Sequence, residues 1–289
     1  MKLTKIIEKV FLEPIHGILT VLLFLFFSLL TPKFSSWLGG KLARIISPLF
    51  PQNKIAMENL KLIFPDLGLD IRRKILFEAI ENLGKSAGEY PHLGKLDQCI
   101  EVTGINNLPK NKPIIFVASH LANWELTPYP GIILNRPIMR IYRKLNAPLS
   151  EWILRKRPSP LPGEVVPKGR IGAIKMMSTL KSGGIILILS DQRLNTGIKI
   201  NFLGKPANTL ISPALMAIKF NCQIHPLQII RKQGCSFKIK IHRKINIPSE
   251  KLAHKKRIKL IMESINDIIS SWVIDNPGQW FWHHRRWKI

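Results

Sequence analysis

The stretch Ile114-Ile-Phe-Val-Ala-Ser-His-Leu-Ala-Asn-Trp-Glu125 decides how this chain is read, because an apolar strand delivers a histidine and, five residues later, a carboxylate. Ile114 to Ala118 is short, β-branched and aromatic, and Pro113 stands just before it, which predicts a buried strand entered from a turn. His120 therefore falls at a strand end. From Asn123 to Leu134 the apolar residues do not alternate strictly and prolines intervene, which predicts a short helix or helical turn with Glu125 in its first turn. A carboxylate there can fold back toward the imidazole, hold its tautomer through one ring nitrogen and stabilise the imidazolium that forms when the other takes a proton. No Ser, Cys or Thr stands at a usable spacing for a nucleophile. The nucleophile then belongs to the substrate, as in direct acyl transfer to a hydroxyl or amine. A satisfied core histidine is the alternative that two residues alone leave open.

Strands are predicted at Ile114–Ala118, Pro137–Tyr142, Ile185–Ser190, Ile224–Ile230 and Phe237–Ile245, with helices at Ala147–Arg155, Ile171–Lys181 and Ser212–Phe220 between them. That alternation predicts an α/β fold with a mixed, partly parallel sheet flanked by helices. Ligands of open α/β sheets sit beyond the carboxyl ends of strands, and Ser119-His120 and Ser190-Asp191-Gln192 both stand there, so the two clusters can share one cleft. Basic residues gather near those ends: Arg140, Arg143, Lys144, Arg155, Lys156 and Arg157, with Arg231-Lys232 after a later strand. Most read as solvated surface, but Arg143, directly after an apolar strand, is placed to fork onto a phosphate or carboxylate. Before the first of these strands the pattern is helical: Phe34–Ile46, Asn53–Phe64, and a longer run to Glu89 for which Asp70 is the expected N-cap. The Gly183-Gly184 pair reads as a helix C-cap rather than a phosphate loop.

The formal net charge is +26, from 44 Lys and Arg against 18 Asp and Glu, and it calls for a polyanionic partner, either nucleic acid or an anionic membrane surface. Ile15 to Leu30 is almost wholly apolar and would extend about 24 Å as a helix, short of the roughly 20 residues of a comfortable crossing. It spans marginally or lies embedded, as a retained anchor rather than a signal peptide, since Glu8 and Glu13 interrupt the charged region and no Ala-x-Ala site follows. The expected division is an anchor over 1–34, a helical membrane-associated region over 35–100 and an α/β catalytic domain over 101–289. Cys99, Cys222 and Cys235 form no C-x-x-C pair and are odd in number, which argues against a disulfide framework or a structural zinc site. The final segment, Asn276 to Lys288, interleaves aromatics with cations as a bilayer headgroup region or a nucleic-acid stack requires, a buried aromatic plug being the alternative. Beside an apolar amino terminus, the membrane reading gains.

Several phrases together resemble the lysophospholipid acyltransferase superfamily, and within it the late acyltransferases of lipid A biosynthesis of the lauroyl- and myristoyltransferase type. In order these are Asn59-Leu60…Phe64-Pro65, Asn82-Leu83-Gly84…Glu89, Ser119 to Glu125, Tyr142-Arg143…Asn146, Asp191-Gln192, Phe202 to Ala207 and Trp282 to Lys288. The family's His-x4-acid signature falls on His120 and Glu125, and Asn123 and Trp124 match its subfamily form. Leu121 and Ala122 depart from it, standing where Phe and Gly are usual. The resemblance implies a glycerol-3-phosphate acyltransferase-like fold and transfer of a fatty acyl group from acyl carrier protein, or less readily coenzyme A, to a hydroxyl of a lipid A precursor. It implies no metal or bound cofactor, and a place at the cytoplasmic face of the inner membrane with no nucleic-acid partner. His120 would be the base and Glu125 its orienter. Asn123, Arg143, Arg157, Asp191, Gln192 and Arg231 are the candidate substrate-binding residues, Asp191 and Gln192 as a family motif shaping the acceptor site. Other glycolipid, phospholipid or aminolipid acceptors share the pair of residues, and a non-enzymatic basic protein is the remaining class.

Overall fold

Ile114–Ala118 forms a strand with every residue buried, and its side chains divide by alternation between two apolar layers. Ile115 and Val117 enter one, Ile114, Phe116 and Ala118 the other, so the strand is covered on both faces, as a parallel sheet requires. The computed structural model describes residues 13–142, 144–145, 148–156 and 163–287, without the side chains of 154–156. Among these residues four α-helices come first: α1 (Glu13–Ser28), α2 (Pro32–Ile46), α3 (Gln52–Ile63) and α4 (Leu69–Glu89). The α/β part follows as β1 (Ile100–Thr103), β2 (Ile114–Ala118), α5 (Pro130–Ile133), β3 (Ile138–Tyr142), α6 (Pro148–Lys156), β4 (Val165–Pro167), α7 (Arg170–Lys181) and β5 (Ile185–Leu189). It continues as β6 (Arg193–Phe202), β7 (Lys205–Thr209), α8 (Ser212–Phe220), β8 (Gln223–Arg231), β9 (Phe237–Ile241) and α9 (His254–Asp275).

Among the described residues the main sheet has seven strands in the order β1-β9-β8-β2-β5-β3-β4, and β6 and β7 form a separate antiparallel pair. Every pairing in the main sheet is parallel except β8 with β9. The fold is thus α/β with a mixed, mostly parallel sheet flanked by helices. β5 inserts between β2 and β3 although three α-helices and two strands separate it from β2 in sequence. Because β2 pairs with β5 in the register Ala118↔Leu189, the residues two beyond each end, His120 and Asp191, leave the sheet side by side.

The five predicted strands stand where expected to within one or two residues, apart from the last, whose ladder ends at Ile241. The predicted helices are also present, and Gly183 takes a φ of +77° after α7. The N-cap of α4 is Gly68 rather than Asp70; Asp70 lies in the first turn, where its charge still favours the helix dipole. β1, β4, the β6–β7 pair and α9 have no counterpart in the sequence reading. Among the described residues no helix is long and apolar enough to cross a membrane. α1 has 16 residues, with Ile15, Ile18, Leu22, Leu23, Leu25 and Phe26 exposed.

α2 lies close against α4 at glycines. A Cβ at Gly39 would sit 2.4 Å from the Gly84 carbonyl oxygen, and one at Gly88 would sit 2.1 Å from that of Ser35. This contact brings the Ser36 hydroxyl to the Glu89 carboxylate at 2.6 Å.

The end of the chain differs most from expectation. Trp280, Trp282 and Trp287 are buried, as is Arg286, whose guanidinium lies 4.7 Å over the Phe202 ring and donates to the Asn208 carbonyl and the Thr209 hydroxyl. The aromatic-cationic run is an internal plug rather than a headgroup layer, because its indoles meet each other edge-on, 4.7 Å apart for Trp280 and Trp282, in the same core as α3 and α4.

Candidate active site

His120 and Asp191 meet at the carboxyl edge of the sheet. The Asp191 Oδ1 lies 2.8 Å from His120 Nδ1, and Oδ2 accepts the His120 backbone N–H at 2.8 Å and the Trp280 indole N–H at 2.8 Å. Asp191 is fully buried, and burial alone would push its carboxyl up. The electrostatic pull and hydrogen bond of the His120 ring, with the His120 backbone N–H, overcome that and hold it well below the usual carboxylate range. An ionised carboxylate only accepts, so Nδ1 donates to Asp191, and in the neutral ring Nε2 is the nitrogen with the lone pair. That lone pair faces the Gln192 side-chain nitrogen at 3.0 Å, and Gln192 is exposed. The imidazole is thus held on the Asp191 side, and its other nitrogen is covered by the amide of an exposed side chain.

Aromatic rings enclose it. The Trp124 ring centroid lies 5.2 Å from that of His120, Phe281 6.3 Å and His284 6.2 Å. His284 packs edge-on to Trp280, and burial, the largest influence, pushes it down to about 4, against the opposing pull of Asp191. It stays neutral beside His120, so it sets no second positive charge against an imidazolium formed there.

The expectation that Glu125 holds the ring through one nitrogen is corrected here: Asp191 occupies Nδ1, because β5 and not the Glu125 turn lies against the end of β2. Glu125 is half-buried in the turn Trp124–Leu126, with its backbone N–H donating to the Asn123 side-chain oxygen at 3.2 Å. Asn123 is not open to a substrate. It is fully buried, and its amide donates to Glu89 Oε2 at 2.8 Å. Arg231 is also buried, its guanidinium donating to both oxygens of Glu89, to Asn82 Oδ1 at 2.7 Å and to the Ser86 hydroxyl at 3.1 Å, so it faces inward rather than toward an acceptor. Arg143 and Arg157 lie outside the described residues. The sequence reading missed Trp280, Asn82 and Ser86 as parts of the site. A signal for α4 existed: Asn82, Ser86 and Glu89 form a polar stripe at four- and three-residue spacing on an otherwise apolar helix face.

Comparison with known proteins identifies the chemistry. A family model for bacterial lipid A biosynthesis acyltransferases matches residues 6–289. The chain is 22% identical over 268 residues, 87% of this chain and 84% of the relative, to the lipid A biosynthesis palmitoleoyltransferase of Escherichia coli (strain K12). The lipid A biosynthesis acyltransferase of Shigella flexneri matches with the same identity and coverage. Among solved structures, the 1-acyl-sn-glycerophosphate (LPA) acyltransferase PlsC from Thermotoga maritima aligns over 82% of this chain and 99% of its own, at 16% identity and a TM-score of 0.37. The protein is an acyltransferase. It belongs to the bacterial lipid A biosynthesis acyltransferase family.

Proposed function

We propose that this enzyme moves a fatty acyl group from the thioester of an acyl carrier protein to a hydroxyl of a lipid A precursor at a membrane surface. The carrying observation is the 2.8 Å contact between His120 Nδ1 and Asp191, which leaves Nε2 as the base. The acceptor hydroxyl replaces the Gln192 amide at Nε2. His120 takes the hydroxyl proton as the oxygen attacks the thioester carbonyl carbon, and Asp191 stabilises the imidazolium. The tetrahedral intermediate then collapses: the carbon–sulfur bond breaks, and the imidazolium returns the proton to the departing thiolate. Among the described residues the ring's hydrogen-bond partners include no Ser, Cys or Thr, which supports direct transfer without an acyl-enzyme. Arg143 and Arg157, which follow β3 and α6 in sequence, are proposed to meet the phosphates of the acceptor or the developing oxyanion. The apolar surface of α1 and α2 supports a seat in one leaflet of an anionic bilayer, with the catalytic body on the cytoplasmic side. The 16 residues of α1 reach only about 24 Å.

Turnover with a carrier-borne donor and a bis-phosphorylated lipid A precursor tests this reading. His120→Ala and Asp191→Asn should each lower kcat by roughly 10²–10⁴-fold, with the double variant little worse than His120→Ala. Glu125→Gln should cost less than Asp191→Asn. The reverse order would return the orienting role to Glu125, and strong acylation of lysophosphatidic acid with none of the lipid A precursor would remove the acceptor assignment.

A further inference from the structure

Ala122, two residues past His120, is fully buried and has a φ of +51°, in the left-handed region that a side chain disfavours. Such a conformation persists only where the surroundings over-determine it. Here they do. The Ala122 N–H donates to the Gln279 carbonyl at 2.9 Å, and its own carbonyl accepts the Asn82 amide at 3.1 Å and the Ser86 hydroxyl at 3.3 Å. Those donors are fixed in turn by Arg231, through Nε to Asn82 and Nη2 to Ser86. Arg231 is itself locked by Glu89, and its backbone exchanges two bonds with the Gln279 side chain, at 2.8 and 2.9 Å. Ser86 must share its one proton between the Asn82 and Ala122 carbonyls, so Asn82 carries the larger part of the grip.

The kink at Ala122 reverses the chain. It turns Asn123 inward to Glu89 and brings the Trp124 ring back over His120, while the Phe281 N–H holds the His120 carbonyl at 3.0 Å. We propose that Asn82, Ser86 and Arg231 are positioning residues of the acyl-transfer site, holding Ala122 in its left-handed conformation and through it the placement of Trp124 against His120. Removing the grip lets Ala122 relax toward negative φ and displaces the loop. Glycine at 122 has no such preference, so the loop there depends less on the grip. The inference rests on His120 as the base.

The test is a double-mutant cycle between position 82 and position 122, read as kcat per folded enzyme, with KM and the unfolding midpoint measured for each variant. Asn82→Ala in the natural background should lower kcat roughly 10- to 100-fold, the size of loss expected from a misplacement of about 1 Å, with a much smaller change in KM. The same change in an Ala122→Gly background should cost at least about fivefold less. Asn82→Asp is the second variant, because it keeps an oxygen for Arg231 while replacing the N–H that holds the Ala122 carbonyl. It should show the same dependence on position 122 if Asn82→Ala does not fold. Equal losses in the two backgrounds, or a lowered midpoint with unchanged kcat, would overturn the proposal while His120→Ala remained inactive. Full activity of a folded His120→Ala enzyme would remove the base reading and the proposal with it.

Discussion

The Asp191 carboxylate takes three donors, each at 2.8 Å, and the Trp280 indole is the one whose loss leaves both His120 and Asp191 in place. Trp280→Phe keeps an aromatic ring in the plug but deprives a buried charge of a hydrogen bond, a change worth about 1–3 kcal/mol. Urea unfolding should register that loss. Turnover should fall by less than in Asp191→Asn, because Nδ1 keeps its partner. A variant unchanged in both would show that the indole does not support the carboxylate. The same residue explains why the terminal tryptophans are inside: their rings are edge-packed, and Trp280 has its N–H satisfied there.

At the scale of elements, β8, β9 and α9 meet around a buried histidine, His225, and a half-buried one, His242. His225 in β8 has its Nδ1 3.1 Å from the His242 carbonyl, and His242, just after β9, stacks on Trp272 of α9 with ring centroids 5.2 Å apart. The His242 Nε2 also lies 3.2 Å from the Gln228 oxygen. Burial, reinforced by Lys240, pushes His242 down to about 4 from an ordinary 6.5, and burial lowers His225 and His284 as well. Such groups bind protons in the unfolded chain before they do in the folded one. The sign follows: stability is fully present above about pH 6.5 and falls as the pH drops toward about 4. Urea midpoints between pH 7 and 4 should show this decline, and His242→Gln should flatten part of it. A midpoint independent of pH over that window would show that these rings do not stay neutral in the folded state.

For the whole molecule, the charge of +26 and the exposed apolar side chains of α1 and α2 suit the same partner. Phe34 and Trp37 are 47% and 52% exposed and stack at 5.5 Å, an exposed pair of rings that the proposed membrane seat would bury. Burying each ring there is worth on the order of 1.5–3 kcal/mol, and nearby basic residues add about 1 kcal/mol apiece on an anionic surface. Phe34→Asp with Trp37→Asp should therefore weaken binding of the full chain to phosphatidylglycerol-containing vesicles at least about tenfold. Unchanged co-sedimentation would place the contact elsewhere. High salt should remove the basic contribution and leave the apolar one.

The parallel α/β core is legible in local pattern, because Ile114–Ala118 and Ile185–Leu189 are continuous apolar runs that only a sheet covered on both faces can bury. The sequence also placed His120 and Asp191 at strand ends, since chain order alone fixes which residues follow a strand. Local pattern could not say that β5 lies beside β2, because that adjacency skips β3 and β4. With that adjacency unknown, the nearer acid in sequence, Glu125, was the natural partner for His120. The interior fate of Arg231 and of the terminal tryptophans was hidden for the same reason. A cation or an indole is buried only when distant segments supply its partners, as Glu89 does for Arg231 and Asp191 for Trp280, and those pairings span 142 and 89 residues of chain.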